Sequence, residues 1–248
     1  MRSLVAVALG LAAAAAAGAQ TAEELVAKNL QARGGIDKIK AIRTLRMSGT
    51  LQSGGFKARI GRESAAPELI RETFTIQGMT QITAYDGAVG WRVSPFGGRK
   101  DPEIVGEEGM RDLVEAADFY GPLVDYKEKG NRVEYLGHDT VDGDDAYRLK
   151  VTLHNGDIVY YYLDPDTYIE IRTEKIQFIR GSVRETFTNL GAYKLVAGVY
   201  FPFSLESGAK GDQEPAKLTF DKIEANVAID PADFKMPAAT PKPAGGGQ

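Results

Sequence analysis

Residues 56–60 read FKARI, with apolar side chains at the even positions and basic side chains at the odd ones. The same alternation returns at residues 169–174, which read IEIRTE, and Ile70, Phe74 and Ile76 share parity in the same way. A period of two is typical of a strand that has one face in water and the other in the core. The pattern therefore predicts a mainly β protein.

Turn sequences rich in glycine, aspartate and asparagine separate these strands, as hairpins require. Together with the alternation they predict about eleven strands between Arg43 and Val227, joined as an antiparallel meander in one curved sheet. The turns are Ser53-Gly54-Gly55, Gln77-Gly78, Asp86-Gly87, Asp142-Gly143-Asp144, Asn155-Gly156 and Asp164-Pro165-Asp166.

One helical segment interrupts the meander. Within residues 101–129, Met110, Leu113, Val114 and Ala117 recur at spacings of three and four. This spacing predicts an amphipathic helix inserted between the fifth and sixth strands.

A second helical region precedes the strands. Thr21 and Glu24 have the spacing of a capping box, so we predict a helix that begins there. The pair Gly34-Gly35 is expected to end it, because glycine adopts the left-handed conformation of a helix C-terminus without a steric penalty. A further short helix is predicted at Ile36–Ile42.

The first 19 residues have the features of a secretory signal peptide. Arg2 is followed by an apolar run over residues 4–17, and Ala17-Gly18-Ala19 gives a small-x-small cleavage site. A membrane anchor is the alternative, but the run falls short of the roughly 20 residues that span a bilayer. We predict export and cleavage before Gln20, a folded domain over residues 20–236 and a disordered tail over residues 237–248.

Composition and charge exclude several classes of function. The chain has no cysteine, and without Arg2 it carries 29 basic and 34 acidic side chains, a net charge of −5. The absence of cysteine rules out disulfides, a thiol nucleophile and a lipid-modified cysteine. The mild acidic balance, with scattered lysine and arginine, predicts that nucleic acid is not a partner.

No recognisable catalytic or metal-binding pattern is present. His138 lies near aspartates at positions 139, 142, 144 and 145, but these surround a glycine in a predicted turn and lack the calcium-loop spacing. Glu107 and Glu108 could serve a hydrolase acting on glycan or lipid, although solvated loop charge is the reading that we favour. We predict no enzyme, no metal site and no cofactor.

The helices suggest a cavity. Two short helices, each with one apolar face, would cover a strongly curved sheet only in part. The uncovered part would form an apolar cavity that side chains line but do not fill, which is typical of a ligand site. A well-filled sandwich or barrel is the alternative.

Five stretches together resemble the outer-membrane lipoprotein-sorting (LolA/LolB-like) superfamily. They are residues 21–49 (TAEELVAKNLQARGGIDKIKAIRTLRMSG), 85–95 (YDGAVGWRVSP), 161–175 (YYLDPDTYIEIRTEK), 198–202 (GVYFP) and 228–237. The resemblance implies an incomplete, strongly curved antiparallel β-barrel with helical lid segments, located in the periplasm. It also implies a carrier whose hollow holds acyl chains of lipid or lipoprotein, with possible envelope-protein donors and acceptors, and which is not an integral membrane protein. Related folds also serve as envelope-stress sensors, so a sensor or assembly subunit that acts through protein contacts is the alternative.

Site residues follow from the resemblance. An arginine inside the sheet is expected to latch the lid, and the candidates are Arg46, Arg59 and Arg92. The expected lipid-binding residues are Phe56, Ile60, Phe74, Ile76, Trp91, Val93, Met110, Leu113, Val114 and Phe119.

Overall fold

The structure is a computed structural model that describes residues 20–96, 98 and 101–238. The predicted signal peptide lies outside the described residues, as does the predicted tail from residue 239 onward.

Among the described residues there are three α-helices, which are α1 (Ala22–Ala32), α2 (Ile36–Ala41) and α3 (Glu107–Ala117). There are also fifteen strands, and a 3-10 turn follows them at Pro231–Phe234. The strands are β1 (Thr44–Ser53), β2 (Phe56–Ala65), β3 (Leu69–Ile76), β4 (Met79–Tyr85), β5 (Gly90–Val93), β6 (Glu103–Ile104), β7 (Arg132–Val141), β8 (Asp144–Thr152), β9 (Ile158–Leu163), β10 (Glu170–Ile179), β11 (Ser182–Gly191), β12 (Lys194–Val196), β13 (Val199–Phe201), β14 (Ser204–Ala209) and β15 (Ala216–Ala225).

Thirteen of the strands form one antiparallel sheet, in the order β6-β5-β4-β3-β2-β1-β15-β14-β11-β10-β9-β8-β7, and β12 and β13 form a separate hairpin. The predicted mainly β, antiparallel fold is therefore confirmed, and the sheet does not close into a barrel. The strand count exceeds the predicted eleven, in part because β6, β12 and β13 are only two or three residues long. Strands this short show no period in the sequence.

The sheet is strongly curved, and the contacts of α3 show it. This helix packs against Ile70 of β3 and Tyr85 of β4, and it also bonds to Lys175 and Gln177 of β10. In the sheet β4 and β10 are seven strand spacings apart, about 34 Å on a flat sheet. An 11-residue helix is about 16 Å long. It contacts both strands because the sheet curls around it.

We call the helix-covered side of the sheet the inner face and the other side the outer face. The hydrophobic core fills much of the inner face. Leu25 of α1 packs with Leu149 and Leu163, all fully buried. Residues 118–131, which follow α3, contribute Val124 to a second cluster with Ile39 of α2. The core therefore fixes α1, α2 and the 118–131 segment on one side of the sheet.

The outer face is covered at one point by the C-terminal part of the described chain. Phe234 is 1% exposed and lies in the 3-10 turn that contacts β3. The indole nitrogen of Trp91 donates a hydrogen bond of 2.7 Å to the Phe234 carbonyl oxygen. We call this contact the C-terminal clasp.

The end of α1 depends on glycine, as predicted. Gly34 has φ +132°, and a Cβ at this position would overlap the carbonyl oxygen of Gly198, which precedes β13. The predicted capping box at the other end of α1 is also present, with Thr21 and Glu24 exchanging hydrogen bonds of 3.0 and 3.1 Å.

Gly34→Ala is expected to lower the free energy of unfolding by about 3 kcal/mol, through a strained backbone and an overlap with another backbone segment. Gly35→Ala is the matched control, because Gly35 also has a positive φ but a Cβ there would meet nothing closer than 3.6 Å. Urea denaturation of both variants measures the difference. Equal losses of unfolding free energy in the two variants would show that the close approach of α1 to Gly198 does not contribute to stability.

Candidate functional site

A strip of three phenylalanines lies on the inner face. Phe56 and Phe74 meet edge to face with ring centroids 6.4 Å apart, and Phe74 meets Phe96 in the same way at 6.1 Å. Phe74 is four residues after the core residue Ile70 on β3, so the two side chains lie on the same face of the sheet. Ile60 of β2 pairs with Phe74 and shares this face. We call Phe56, Phe74 and Phe96 the aromatic strip.

The aromatic strip lies near one end of the sheet, which we call the rim. The rim carries the turns at residues 54–55, 77–78 and 180–181, because these turns connect β1–β2, β3–β4 and β10–β11 at the same strand ends. Phe56 is 39% exposed here, and Met79 is 41% exposed on the same face. Exposed large apolar side chains on one face of a sheet are typical of a binding surface.

A groove of about 1240 Å³ runs along α3. Its apolar walls include Val105, Met110 and Val114, and its charged walls include Arg111 and Glu115. The groove also reaches residues 178–180 at the rim. It is somewhat larger than most ligand pockets, and its lining is more charged than is usual for one.

Leu113, one of the expected lipid-binding residues, belongs to the core. Leu113 is 5% exposed and packs with Ala117, Ile70 and Tyr85. Helix α3 can lie this close to the sheet because β5 begins with Gly90, where a Cβ would lie 2.5 Å from the Met110 sulfur atom.

Polar contacts hold the other side of α3. The Arg111 guanidinium makes a two-point ion pair with Asp157, whose side chain is 1% exposed in the β8–β9 turn. Gln177 donates hydrogen bonds to Asp157 at 3.2 Å and to Asp112 at 2.8 Å. We call Arg111, Asp112, Asp157 and Gln177 the polar latch, since they tie α3 to β10 and to the β8–β9 turn.

Two carboxylates of α3 have pKa values shifted in opposite directions. Burial tends to raise the pKa of Asp112, but hydrogen bonds from Gln177 and Lys175 and the charge of Arg184 outweigh it, so the pKa is lowered. Burial raises the pKa of Glu115, and the Lys175 ammonium, 2.7 Å away, offsets this only in part. The fold therefore favours an ionised Asp112 and disfavours an ionised Glu115.

This difference predicts opposite effects of two conservative substitutions at pH 7. Asp112→Asn is expected to lower the free energy of unfolding by about 1 kcal/mol, a value reduced because 43% of the side chain is in water. Glu115→Gln is expected to leave stability unchanged or to raise it. Urea denaturation at pH 7 compares the two variants.

The pH dependence follows from the same shifts. The contribution of Asp112 is complete above its unfolded pKa and is lost as the pH falls through its lower folded value. The penalty from Glu115 is absent at low pH and grows as the pH rises through its raised folded value. A larger loss at pH 7 for Glu115→Gln than for Asp112→Asn would contradict this assignment.

The structure places the other predicted site residues as follows. Ile60 and Ile76 lie on the inner face beside the aromatic strip. Trp91 and Val93 lie on the outer face, because Trp91 pairs with Ala84, which alternates with the inner-face residue Tyr85. Phe119 follows the end of α3 and packs in the second core cluster.

The three latch candidates also separate by face. Arg46 lies on the outer face and bonds to Glu63 and to the Ala228 carbonyl oxygen. Arg59 also lies on the outer face, whereas Arg92 lies on the inner face and lines the groove. An arginine does hold α3, but it is Arg111 on the helix itself.

The acidic residues that raised the hydrolase alternative lie in the groove wall. Glu107 and Glu108 both line it, and Glu108 forms an ion pair with Arg180. His138 pairs with Asp145 at 2.8 Å on the surface. Within residues 20–96, 98 and 101–238, no three potential metal-ligating side chains come together. No helix in that part of the chain is both long and apolar enough to span a bilayer.

Solved structures of low sequence identity share the fold. A DUF1329 family protein from Desulfovibrio piger has a TM-score of 0.61 at 12% identity, covering 86% of this chain and 97% of that one. A LolA superfamily protein from Nitrosomonas europaea has a TM-score of 0.59 at 14% identity, covering 88% and 99%. A putative outer membrane lipoprotein-sorting protein domain from Vibrio parahaemolyticus has a TM-score of 0.55 at 12% identity, covering 84% and 97%.

No protein-family model and no curated protein sequence matches the chain. At identities this low the structural similarity establishes the fold alone. The thirteen-stranded open sheet, the helices on its inner face and these three neighbours together show that the chain has a LolA-like fold.

Proposed function

We propose that the protein is a non-enzymatic carrier of the periplasm, which holds acyl chains of lipid or lipoprotein on the inner face of its sheet. The observation that carries the proposal is the aromatic strip, since Phe56, Phe74 and Phe96 form an apolar wall that stays partly open to water. Burial of an acyl chain on such a wall yields about 0.8 kcal/mol for each CH₂ group.

The arrangement of α3 suits a ligand that must enter and leave. Its inward side packs on apolar residues, whereas its other side is held by the polar latch. Polar contacts can exchange with water when they break, so a helix held in this way opens at lower cost than one buried on all sides. The proposed ligand lies with its tail along the aromatic strip and its polar head toward the charged walls of the groove.

The structural neighbours support the proposal without establishing it. One of them is described as a putative outer membrane lipoprotein-sorting protein domain and another as a LolA superfamily protein. A LolA-like fold with an exposed apolar inner surface is what such a carrier requires.

Native mass spectrometry of residues 20–248, purified without detergent and followed by lipid extraction, tests the function. We expect retained phospholipid or fatty acid that a fluorescent acyl probe displaces. A clean apo mass together with no probe binding would contradict the carrier function. In that case the protein-contact alternative, an envelope sensor or assembly subunit, would be favoured.

A further inference from the structure

The turn between β10 and β11 presents an unusual apolar tip. Phe178 is 65% exposed and Val183 is 57% exposed, and the two face each other across the hairpin ladder. Among the described residues, Phe178 is the most exposed of the large hydrophobic side chains. Exposure of this kind costs solubility and is typical of a surface that meets a partner.

The charge of the tip indicates what kind of partner fits. Residues 176–184 read IQFIRGSVR, with two arginines and no acidic residue. The side chain of Arg180 is 84% exposed and that of Arg184 is 55% exposed. More than half of each side chain is therefore in water, although Arg180 is paired with Glu108 and Arg184 with Asp112.

We propose that this tip docks on a lipid surface with anionic head groups. Phe178 and Val183 enter the interface between head groups and acyl chains, and Arg180 and Arg184 contact the phosphates. Apolar side chains beside basic ones are the combination that binds peripheral proteins to anionic bilayers.

The position of the tip in the fold favours a membrane as its partner over other kinds of partner. The tip lies at the rim, the same end of the sheet as the aromatic strip, with Arg180 in the lining of the groove. Phe178 and Val183 project from the outer side of this end, because Phe178 alternates with the inner-face residue Gln177. A carrier that docks by this end presents its ligand surface to the bilayer from which acyl chains come. The inference therefore rests on the proposed function, of which it names the docking surface.

Sedimentation with vesicles tests the proposal, using phosphatidylcholine alone and phosphatidylcholine mixed with phosphatidylglycerol. We expect the protein to bind the mixed vesicles more tightly. Replacement of both apolar residues (F178S with V183S) is expected to reduce that binding tenfold or more, in the range that two buried side chains provide. Replacement of both arginines (R180Q with R184Q) is expected to cost about fivefold for each arginine on mixed vesicles and little on neutral ones.

Leu195→Ser is the matched control. Leu195 is 60% exposed but lies in the β12–β13 hairpin, which joins β11 and β14 at the end of the sheet opposite the rim. It should leave vesicle binding unchanged. An equal loss in this variant, or unchanged binding in both tip variants, would overturn the proposal.

Acyl-probe binding without vesicles separates this proposal from the carrier function. The tip variants should bind the probe as well as the unaltered protein does. Loss of probe affinity would assign the tip to the acyl site and overturn the docking role. Absence of vesicle binding together with a specific crosslink to an envelope protein would assign the tip to a protein partner instead. If no variant binds the probe but vesicle binding behaves as expected, the carrier function fails and the docking surface stands.

Discussion

Phe74→Asp is expected to lower the affinity for a fluorescent acyl probe by about a hundredfold. Phe74 is the middle ring of the aromatic strip, in contact with both Phe56 and Phe96. The substitution removes an apolar wall and requires a carboxylate to lose water when the acyl chain arrives. Each of these effects costs on the order of 1–3 kcal/mol. Titration of the purified variant with the probe measures the loss.

Thr75→Asp is the matched control for the charge. Thr75 is the next residue of β3, so its side chain points to the outer face, where it pairs with Thr80. It should bind the probe normally, and Phe74→Leu should retain most of the affinity because it keeps an apolar side chain. Equal affinities for Phe74→Asp and the unaltered protein would remove the aromatic strip from the binding surface.

Asp157→Ala is expected to lower the free energy of unfolding by about 2–3 kcal/mol. The Asp157 side chain is buried and accepts hydrogen bonds from Arg111 and Gln177. Its removal leaves the Arg111 guanidinium without a carboxylate partner, a change that costs about 3–5 kcal/mol when the whole pair is buried. The expected loss is smaller here because 33% of the Arg111 side chain is in water, which partly restores its solvation.

The same substitution should loosen α3 before the whole protein unfolds. Amide hydrogen exchange is expected to accelerate over Glu107–Ala117 while the β8 and β9 amides remain protected. Glu206→Ala is the control, because its ion pair with Lys217 is largely exposed and should contribute less than about 1 kcal/mol. A loss for Asp157→Ala no greater than for this control would show that the polar latch does not hold the helix.

Much of the fold could be predicted because its signals are local. The alternation at residues 56–60 lies in β2. Spacings of three and four at Met110 and Leu113 predicted a helix that is present as α3, and the capping box of α1 is present as predicted. Each of these signals involves residues within one turn or one strand of each other.

The assignment of residues to faces could not be predicted in the same way. Parity shows that Trp91 and Val93 share a face, but only the pairing of β5 with β4 decides which face it is. That pairing depends on the turn at residues 86–89 and therefore on the register of the hairpin. A shift of one residue would have placed both side chains on the inner face.

The polar latch was missed for a different reason. Arg111 and Asp157 are 46 residues apart in sequence, and no pattern connects them. Curvature of the whole sheet brings α3 to β10, and this curvature is not encoded in any single segment. Phe96 was missed because it follows β5 in a stretch without period, although a large aromatic residue near a predicted mouth would have justified its inclusion.

The C-terminal clasp has a practical consequence for spectroscopy. Trp91 is the single tryptophan of the chain, and it is 3% exposed on the outer face, where its indole nitrogen donates a hydrogen bond to the Phe234 carbonyl oxygen. Tryptophan fluorescence should therefore change when the 3-10 turn at Pro231–Phe234 detaches from the sheet. It should remain constant when a ligand is titrated. A red shift on truncation after residue 230, with no shift on filling the inner face, would make this one indole a reporter of C-terminal attachment alone.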